Sequence, residues 1–186
     1  DIHYSPELAF MSLEAGVDKL RLNPGNITDP EAIEDIARKA SSRSIPIRVG
    51  VNSGSLDKDI VEKYGRSAEA MVVSAESEIR LLKNQGFDQI VVSLKASEVN
   101  KTIEANEIFS RKYDYPLHLG VTEAGGGRSG LIKSAIGIGT LLREGIGDTV
   151  RISLTGDPEE EVGAAYDILK ALEIRIREVG FGFRRT

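Results

Sequence analysis

The sequence has 186 residues, of which 40% are hydrophobic and 28% charged, with a formal net charge of −5 and a pI near 5.2. This acidic balance argues against a general nucleic-acid binder, which is usually basic overall. The chain contains no cysteine and two histidines, so it cannot by itself build a disulfide, a thiolate cluster or a multi-histidine metal site.

Short apolar runs alternate with amphipathic stretches along the whole chain. In chain order, the patterns predict helices over residues 5–15, 29–41, 68–84, 97–113, 129–144 and 157–172, and strands over residues 17–22, 45–51, 89–94, 117–121 and 149–154. Residues 1–3 resemble the end of one further strand. The runs are rich in Val, Ile and Leu, as is typical of strands buried on both faces. Strands that alternate with helices favour a parallel sheet.

Local signals support these boundaries. Asp-Pro at 29–30 and at 157–158 is typical of a helix start, with the aspartate as N-cap and proline in the first turn. Gly16, Gly86 and Gly145 follow predicted helices and are expected to end them in the left-handed conformation. Gly137 and Gly139 lie inside a helix rather than after a strand, so we interpret them as packing glycines and not as a dinucleotide motif.

The strand count bears on the fold class. We predict an α/β protein with a TIM (β/α)₈ barrel that is incomplete here, with about six of the eight units and the first two missing. Residues 1–178 would form this partial barrel domain, and residues 179–186 a tail. An open doubly wound sheet is the alternative. The barrel is favoured because polar residues follow every strand instead of clustering at one switch point.

Four cationic residues fall on or just past four different predicted strands: Arg21, Arg48, Lys95 and Arg151. In α/β folds the site lies at the carboxyl ends of the strands. Basic side chains directed into a barrel are costly unless an anion meets them, and guanidinium groups match phosphate oxygens. The pattern predicts a polyanion with two phosphates. Interior salt bridges to Asp1, to Glu123 or to carbonyl groups are the structural alternative.

Other polar residues at the strand ends complete the candidate site. Glu123 is the acid–base candidate, with a role as partner of one arginine as its alternative. The remaining candidates are Asn23, Asn52, Thr122 and Ser153 as hydrogen-bonding groups, together with Asp1, His3 and His118. A lone histidine on a strand is as often structural as functional. The glycine-rich segment 125–129 precedes a helix, where backbone amides could cradle an anion or form only a tight turn.

Long segments of the chain carry a family resemblance. They include Arg-Leu-Asn-Pro-Gly-Asn-Ile at 21–27, Arg-Val-Gly-Val-Asn-Ser-Gly-Ser-Leu at 48–56, Val-Ser-Leu-Lys-Ala-Ser at 92–97 and His-Leu-Gly-Val-Thr-Glu-Ala-Gly-Gly at 118–126. In this order they resemble the 4-hydroxy-3-methylbut-2-en-1-yl diphosphate synthase family of the methylerythritol phosphate (MEP) route to isoprenoids. The resemblance extends over residues 1–178.

The resemblance implies an oxidoreductase that reductively opens 2-C-methyl-D-erythritol 2,4-cyclodiphosphate to (E)-4-hydroxy-3-methylbut-2-enyl diphosphate. It implies substrate binding by Arg21, Asn23, Arg48, Asn52, Lys95, Arg151 and Ser153. Glu123 becomes the proton donor or relay. It further implies a [4Fe-4S] cluster on a separate domain, flavodoxin or ferredoxin as electron donor, and a homodimer.

The chain also departs from the family pattern. The family's Cys-Pro-x-Cys run is replaced by Gly-Phe-Gly-Phe-Arg-Arg-Thr at 180–186, and the cluster domain is absent. The chain alone is therefore expected to bind part of the substrate without turning it over. Its unpaired edge strands are expected to drive self-association.

Two other functions remain open at this point. A Schiff-base aldolase could use Lys95 as nucleophile, and a module that binds diphosphate or assembles without chemistry is the second. The sequence contains neither a run of about 18 apolar residues nor a signal peptide, so we expect no membrane contact and a cytoplasmic location.

Overall fold

A computed structural model describes residue 2, residues 5–22, residue 27 and residues 29–175 of the chain. Helices and parallel strands alternate along these residues. The helices are α1 (Pro6–Glu14), α2 (Pro30–Ser42), α3 (Lys58–Tyr64), α4 (Ala68–Asn84), α5 (Val99–Lys112), α6 (Gly127–Arg143) and α7 (Pro158–Ala171). The strands are β1 (Leu20–Leu22), β2 (Ile47–Asn52), β3 (Ile90–Lys95), β4 (His118–Leu119) and β5 (Thr149–Val150). The predicted α/β class is confirmed.

The strands form two parallel sheets whose neighbours follow chain order. One sheet has the order β1-β2-β3 and the other pairs β4 with β5. An isolated parallel bridge between Val92 and Leu117 connects the sheets, and a second between Ile2 and Leu22 extends the layer beyond β1. No reversal of strand order occurs within the described residues, in contrast to the doubly wound alternative. The described strands do not close into a barrel.

Alternation along the strands separates an apolar face from a polar one. In β2, Ile47, Val49 and Val51 are buried in the core, and α4 packs on both β2 and β3. The intervening residues of β2, Arg48 among them, face the other way because successive side chains of a strand point to opposite sides. The apolar face drives folding, and the polar face is left for a ligand.

The helix boundaries follow the predicted signals. Asp29 caps α2 by accepting a hydrogen bond from the amide of Glu31 at 3.0 Å. Gly16, Gly86 and Gly145 follow α1, α4 and α6 with φ values of +77°, +70° and +77°, which confirms their predicted role as helix terminators.

Two features differ from the sequence-based prediction. Helix α3 was not predicted, because a seven-residue charged segment without a buried residue has too little periodicity to be recognised. Strands β4 and β5 have two residues each, whereas strands over 117–121 and 149–154 were expected. An apolar run indicates that a segment is buried, but not that its backbone pairs with another strand. Ile152, for example, is 1% exposed and belongs to no strand.

No helix in the described part of the chain is both long and apolar enough to cross a lipid bilayer.

Candidate anion-binding site

The first part of the site is a pair of arginines on neighbouring strands. Arg21 of β1 stands opposite Arg48 of β2 in the parallel register. The Arg21 side chain is buried, and its Nη2 donates a hydrogen bond to the Gly50 carbonyl oxygen at 3.1 Å. A Cβ atom at Gly50 would lie 2.5 Å from Nε of Arg21. Glycine at position 50 therefore provides the space in which this guanidinium group lies.

The Lys95 side chain likewise lies in space that a second glycine, Gly120, leaves open. Lys95 ends β3, directly opposite Asn52 of β2, and is 7% exposed. A Cβ atom at Gly120 would come within 3.1 Å of both Cε and Nζ of Lys95, and within 2.9 Å of the Arg151 carbonyl oxygen. The ammonium group thus lies against the backbone just beyond β4, next to the chain segment that carries Arg151.

The electrostatics show that the four cationic groups gather at one place. Burial and the charges of Arg21 and Arg151 lower the pKa of Arg48 to about 10. Burial and the charges of Arg48, Arg151 and Arg21 lower the pKa of Lys95 to about 7. Each shift records the cost of holding like charges together away from water. We call Arg21, Arg48, Lys95 and Arg151 the cation cluster.

Interior contacts, the alternative to an external anion, are described for part of the cluster. Arg21 does contact a backbone carbonyl group, as that alternative requires. Among the residues that the structure describes, however, Lys95, Arg151 and Glu123 take part in no salt bridge. Asp1, the other carboxylate considered, lies outside the described residues. Arg21 and Lys95 are buried, Arg48 is half-buried and Arg151 is exposed, so the cost of burying charge falls mainly on the first two.

His118 stands beside the cluster as a neutral group. Burial, followed by the charges of Lys95, Arg48, Lys19 and Arg151, lowers its pKa to about 3. Its Nδ1 lies 2.8 Å from Oγ1 of Thr149, which is its partner across β4 and β5. This contact fixes the plane of the imidazole ring, which can then offer its remaining nitrogen to a ligand without adding charge.

An open cavity of about 340 Å³ lies at the carboxyl ends of β2 and β3 and the segment after β4. Its lining consists of Asn52, Ser53, Gly54, Ser55, Ser97, Thr122 and Glu123. The amide of Thr122 donates a hydrogen bond to the Ala96 carbonyl oxygen at 3.0 Å, which links two of these segments. The cavity offers amide, hydroxyl and carboxylate groups, the chemistry that suits a hydroxylated carbon skeleton.

Glu123 is exposed and has a φ of +51°, a left-handed conformation that is uncommon outside glycine. The conformation directs the chain from the end of β4 into the glycine-rich turn. Because strained backbone concentrates at functional positions, it is consistent with a role for this carboxylate at the mouth of the site. Ser153 is half-buried, two residues beyond Arg151.

The glycine-rich segment forms a tight turn before α6. Gly125 and Gly127 have φ values of +95° and +55°, and Gly126 is the N-cap. A Cβ atom at Gly130 would lie 2.3 Å from the Gly125 carbonyl oxygen, so the turn folds closely over the first helical residues. A parallel bridge between Gly126 and Thr155 joins this turn to the segment after β5.

Some predicted residues cannot be placed, and some residues of the site were not predicted. Asp1, His3 and Asn23 lie outside the described residues. Gly50 and Gly120 were not predicted as parts of the site. Arg66 was not predicted either; its Nη1 donates hydrogen bonds to the carbonyl oxygens of Ser53 at 2.9 Å and Gly54 at 3.2 Å.

An iron–sulfur cluster does not fit this chain. The 186 residues include no cysteine to supply thiolate ligands. Within the described residues, no group of three or more His, Asp or Glu side chains is placed to hold a metal ion.

The Gly137 contact agrees with the predicted packing role. A Cβ atom there would lie 2.9 Å from Cγ2 of Val121, so glycine lets α6 approach the segment after β4. This segment leads directly to Thr122 and Glu123. The close approach therefore helps to position one wall of the cavity.

Parallel strands in chain order, with helices packed against them, define the class of this protein as a parallel α/β domain. The sequence model of the GcpE TIM-barrel domain matches residues 1–166. The chain belongs to this GcpE TIM-barrel family.

Three similar proteins are named 4-hydroxy-3-methylbut-2-en-1-yl diphosphate synthase (flavodoxin). The protein of Caldanaerobacter subterraneus subsp. tengcongensis is 58% identical over 173 residues, which are 92% of this chain and 49% of that protein. The Geobacter sulfurreducens protein is 54% identical over 176 residues, 94% of this chain and 50% of its own length. The Proteus mirabilis protein is 53% identical over 182 residues, which are 97% of this chain and 49% of that protein. The chain spans about half the length of the curated relatives it matches.

Proposed function

We propose that this chain is the substrate-binding part of an enzyme that reductively opens 2-C-methyl-D-erythritol 2,4-cyclodiphosphate to (E)-4-hydroxy-3-methylbut-2-enyl diphosphate. The reaction consumes two electrons and two protons, breaks the ring C–O bond to one phosphate and releases a hydroxyl group as water. The observation that carries the proposal is the cation cluster, in which Lys95 is 7% exposed and lies among three arginines. The relatives' shared name supports the choice of substrate.

In this proposal the cation cluster binds the diphosphate. Arg48 and Arg21 stand opposite each other across β1 and β2, and Lys95 and Arg151 approach from the other side. Bound phosphate oxygens would restore the charged form of Lys95, whose pKa burial and like charges lower to about 7. The site thus supplies arginine charges that are in place before the ligand arrives, and the ligand completes it by drawing a proton onto Lys95.

The polar cavity would hold the carbon skeleton and its hydroxyl groups. Asn52 and Thr122 line it and would donate and accept hydrogen bonds there. Glu123 lies at the same wall, where a carboxyl group can deliver a proton to the departing hydroxyl group. We assign the same substrate-binding role to Ser153 and Asn23, and accessory roles to Asp1, His3 and His118.

Electrons would come from outside the described site. We propose that a [4Fe-4S] cluster, held by cysteines that this chain does not contain, supplies them when it is bound. We propose flavodoxin as the reductant because the relatives' name contains it, with ferredoxin as the other protein of this chemistry. A homodimer in the cytoplasm belongs to the same proposal.

For the fold, we propose that the five described strands, with the segment at Ile2, belong to about six units of a (β/α)₈ barrel whose first two units lie outside this sequence. Chain order among all described strands and the parallel bridge of Ile2 to Leu22 support it. Residues 1–178 would then be the barrel portion, and residues 179–186 a tail towards the cluster domain. The edges left open in the 186-residue chain would favour self-association, which sedimentation can measure.

Calorimetric titration of this chain with the cyclic diphosphate tests the proposal. Lys95→Met should weaken binding by about tenfold or more, because a charge-assisted hydrogen bond is lost. Lys133→Met is the matched control, since Lys133 is an exposed lysine on α6. Absence of binding to the unmodified chain, or equal affinities for the two variants, would overturn the proposed function.

Schiff-base chemistry is a second candidate, favoured by one observation. Because burial and neighbouring cations lower the pKa of Lys95 to about 7, much of its amine is neutral near neutral pH and able to attack a carbonyl carbon. Borohydride trapping with a carbonyl substrate would show a stable mass increase in the unmodified chain and none in Lys95→Met. A module that binds diphosphate without chemistry would show neither trapping nor turnover with a reductant.

A further inference from the structure

Two polar side chains of α5 are buried on the side of the helix that packs against β3. Thr102 is 1% exposed and Asn106 is 0% exposed, and the two residues lie one helical turn apart on the same face. Oδ1 of Asn106 has no hydrogen-bond partner among the described residues. Because burying a polar atom without a partner is unfavourable, apolar residues would pack this face at lower cost. The two side chains therefore call for an explanation other than helix packing.

Both side chains bond to the backbone at the carboxyl end of β3. Nδ2 of Asn106 donates hydrogen bonds to the Leu94 carbonyl oxygen at 2.9 Å and, within the helix, to the Thr102 carbonyl oxygen at 2.8 Å. Oγ1 of Thr102 accepts a hydrogen bond from the Ala96 amide at 3.1 Å. Its hydroxyl proton can reach the carbonyl oxygens of Ala96 and Glu98, each 3.2 Å away. The backbone groups just before and just after the last residue of β3 are therefore held from α5.

These contacts fix the two peptide groups on either side of Lys95. The Leu94 carbonyl belongs to the peptide group that precedes the α-carbon of Lys95, and the Ala96 amide belongs to the peptide group that follows it. Because each peptide group is planar, the orientations of these two planes set the φ and ψ angles of Lys95. Those angles determine the direction in which the Lys95 side chain leaves the strand.

The direction matters because Lys95 lies in a confined position. Its side chain is 7% exposed, and its Cε and Nζ would both lie 3.1 Å from a Cβ atom at Gly120. The Ala96 carbonyl oxygen also accepts a hydrogen bond at 3.0 Å from the amide of Thr122, which lines the polar cavity. A rotation of the peptide group after Lys95 would therefore displace both the ammonium group and this wall of the cavity.

We propose that Thr102 and Asn106 are positioning residues of the anion site: by holding the two peptide groups that flank Lys95, they direct its ammonium group into the cation cluster. Neither side chain touches the ligand in this role. The inference rests on the proposed function, because it requires Lys95 to bind an anion. It deepens that function by assigning the orientation of Lys95 to two residues of a helix outside the site.

Thr102→Val tests the contact that follows Lys95, because valine keeps the branched shape of threonine and removes the hydroxyl group. Calorimetric titration of the 186-residue chain with inorganic pyrophosphate should show an affinity about three- to tenfold lower, the size expected for one lost hydrogen bond. Thr102→Ser retains the hydroxyl group and should bind within about twofold of the unmodified chain. Thr140→Val is the matched control, since Thr140 is a half-buried threonine on α6, and it should leave the affinity unchanged.

A double-mutant cycle with Lys95→Met separates positioning from a general loss of structure. In the methionine background no ammonium group remains to be directed, so Thr102→Val should lower the pyrophosphate affinity by less than about twofold. Asn106→Leu, which removes the donor at the other peptide group, should show the same dependence on Lys95. Its control is Asn100→Leu, at an exposed asparagine of α5. Circular dichroism checks that each variant is folded.

The outcomes distinguish this inference from the proposed function. If the unmodified chain binds no pyrophosphate, the proposed anion site fails and the inference with it. If the chain binds pyrophosphate but Thr102→Val and Asn106→Leu lower the affinity equally with lysine and with methionine at position 95, the inference alone is overturned. Unchanged affinity in both variants, or loss of the fold in both, would overturn it as well, because the two residues would then have no role beyond the stability of α5 on β3.

Discussion

The Lys95 ammonium group occupies the space beside Gly120, where a methyl group would stand 3.1 Å from Nζ. The same methyl group would stand 2.9 Å from the Arg151 carbonyl oxygen. A single glycine therefore sets the distance between the strand end that carries Lys95 and the segment that carries Arg151. Glycine at position 120 therefore leaves room for the Lys95 side chain and the Arg151 backbone together.

We predict that Gly120→Ala weakens pyrophosphate binding by about tenfold while leaving the chain folded. The added methyl group displaces the flexible Lys95 side chain at modest cost, but the Arg151 backbone must also move, and overpacking of this kind costs about 1–3 kcal/mol. Circular dichroism checks the fold and calorimetry the affinity. Gly163→Ala is the matched control, because no atom lies within 4 Å of a Cβ there. Unchanged affinity in Gly120→Ala would show that the contact does not set the site.

Lys95→Met should stabilise the chain near neutral pH. The pKa of Lys95 is lowered from 10.5 to about 7, chiefly by burial and then by the neighbouring cations. Below about pH 7 both the folded and the unfolded lysine are protonated, and the folded state bears the full cost of the buried charge. Between about pH 7 and pH 10.5 the unfolded lysine keeps its proton while the folded one loses it, so the stability of the unmodified chain rises with pH.

Urea unfolding measures this effect. At about pH 6.5 the methionine variant should be more stable than the unmodified chain by a few kcal/mol, since one pKa unit corresponds to about 1.4 kcal/mol. The difference should shrink at about pH 9.5. Lys133→Met, which replaces an exposed lysine, should change stability at neither pH. A difference that does not vary with pH would mean that lost contacts and not charge burial cause the change.

The fold class was predictable because apolar runs report which segments are buried. Residues 45–51 and 89–94 became β2 and β3 nearly as expected. Chain order of the strands was not predictable from these runs, because it depends on which strands pair. The structure establishes the chain order through pairings such as the parallel bridge between Val92 and Leu117. The extent of β4 and β5 was overestimated because Ile152 and its neighbours are buried without being paired.

The candidate site was predictable only where chemistry shows in the residue type. Arginine or lysine at a strand end is conspicuous, so the cation cluster could be proposed from sequence. Gly50 and Gly120 could not be predicted. Glycine is needed at these positions because a long side chain of a neighbouring strand lies against each of them, and strand pairing decides which side chain that is. The burial of Glu78 was not predicted either. An acid on an amphipathic helix normally faces solvent, and its burial follows from how α4 packs on β2 and β3.

Arg66 should hold the wall of the cavity that contains Ser53. Its two hydrogen bonds to the carbonyl oxygens of Ser53 and Gly54 fix the 3₁₀ turn at Ser53–Ser55. Arg66→Gln should weaken binding of the cyclic diphosphate by about three- to tenfold, which corresponds to one or two hydrogen bonds of about 1 kcal/mol. Binding of inorganic pyrophosphate, which has no carbon skeleton for this cavity, should change little.

Arg111→Gln is the control for that variant, because Arg111 pairs with Glu107 on the exposed side of α5. It should leave both ligands unaffected. Equal losses for pyrophosphate and the cyclic diphosphate in Arg66→Gln would place its effect on the cation cluster and not on the cavity wall.

His118 should remain neutral throughout the physiological range. Burial, with the charges of Lys95 and Arg48 next in size, lowers its pKa to about 3, far below the ordinary 6.5. Its imidazole proton resonances should therefore not shift between about pH 5 and pH 8, and His118→Gln provides their assignment. Because a histidine of lowered pKa contributes no charge, that variant should change pyrophosphate affinity equally at both ends of this range. If the His118 resonances titrate with a midpoint near 6.5, the ring is not surrounded by the cation cluster, and the convergence of charges on this face of the strands would have to be rejected.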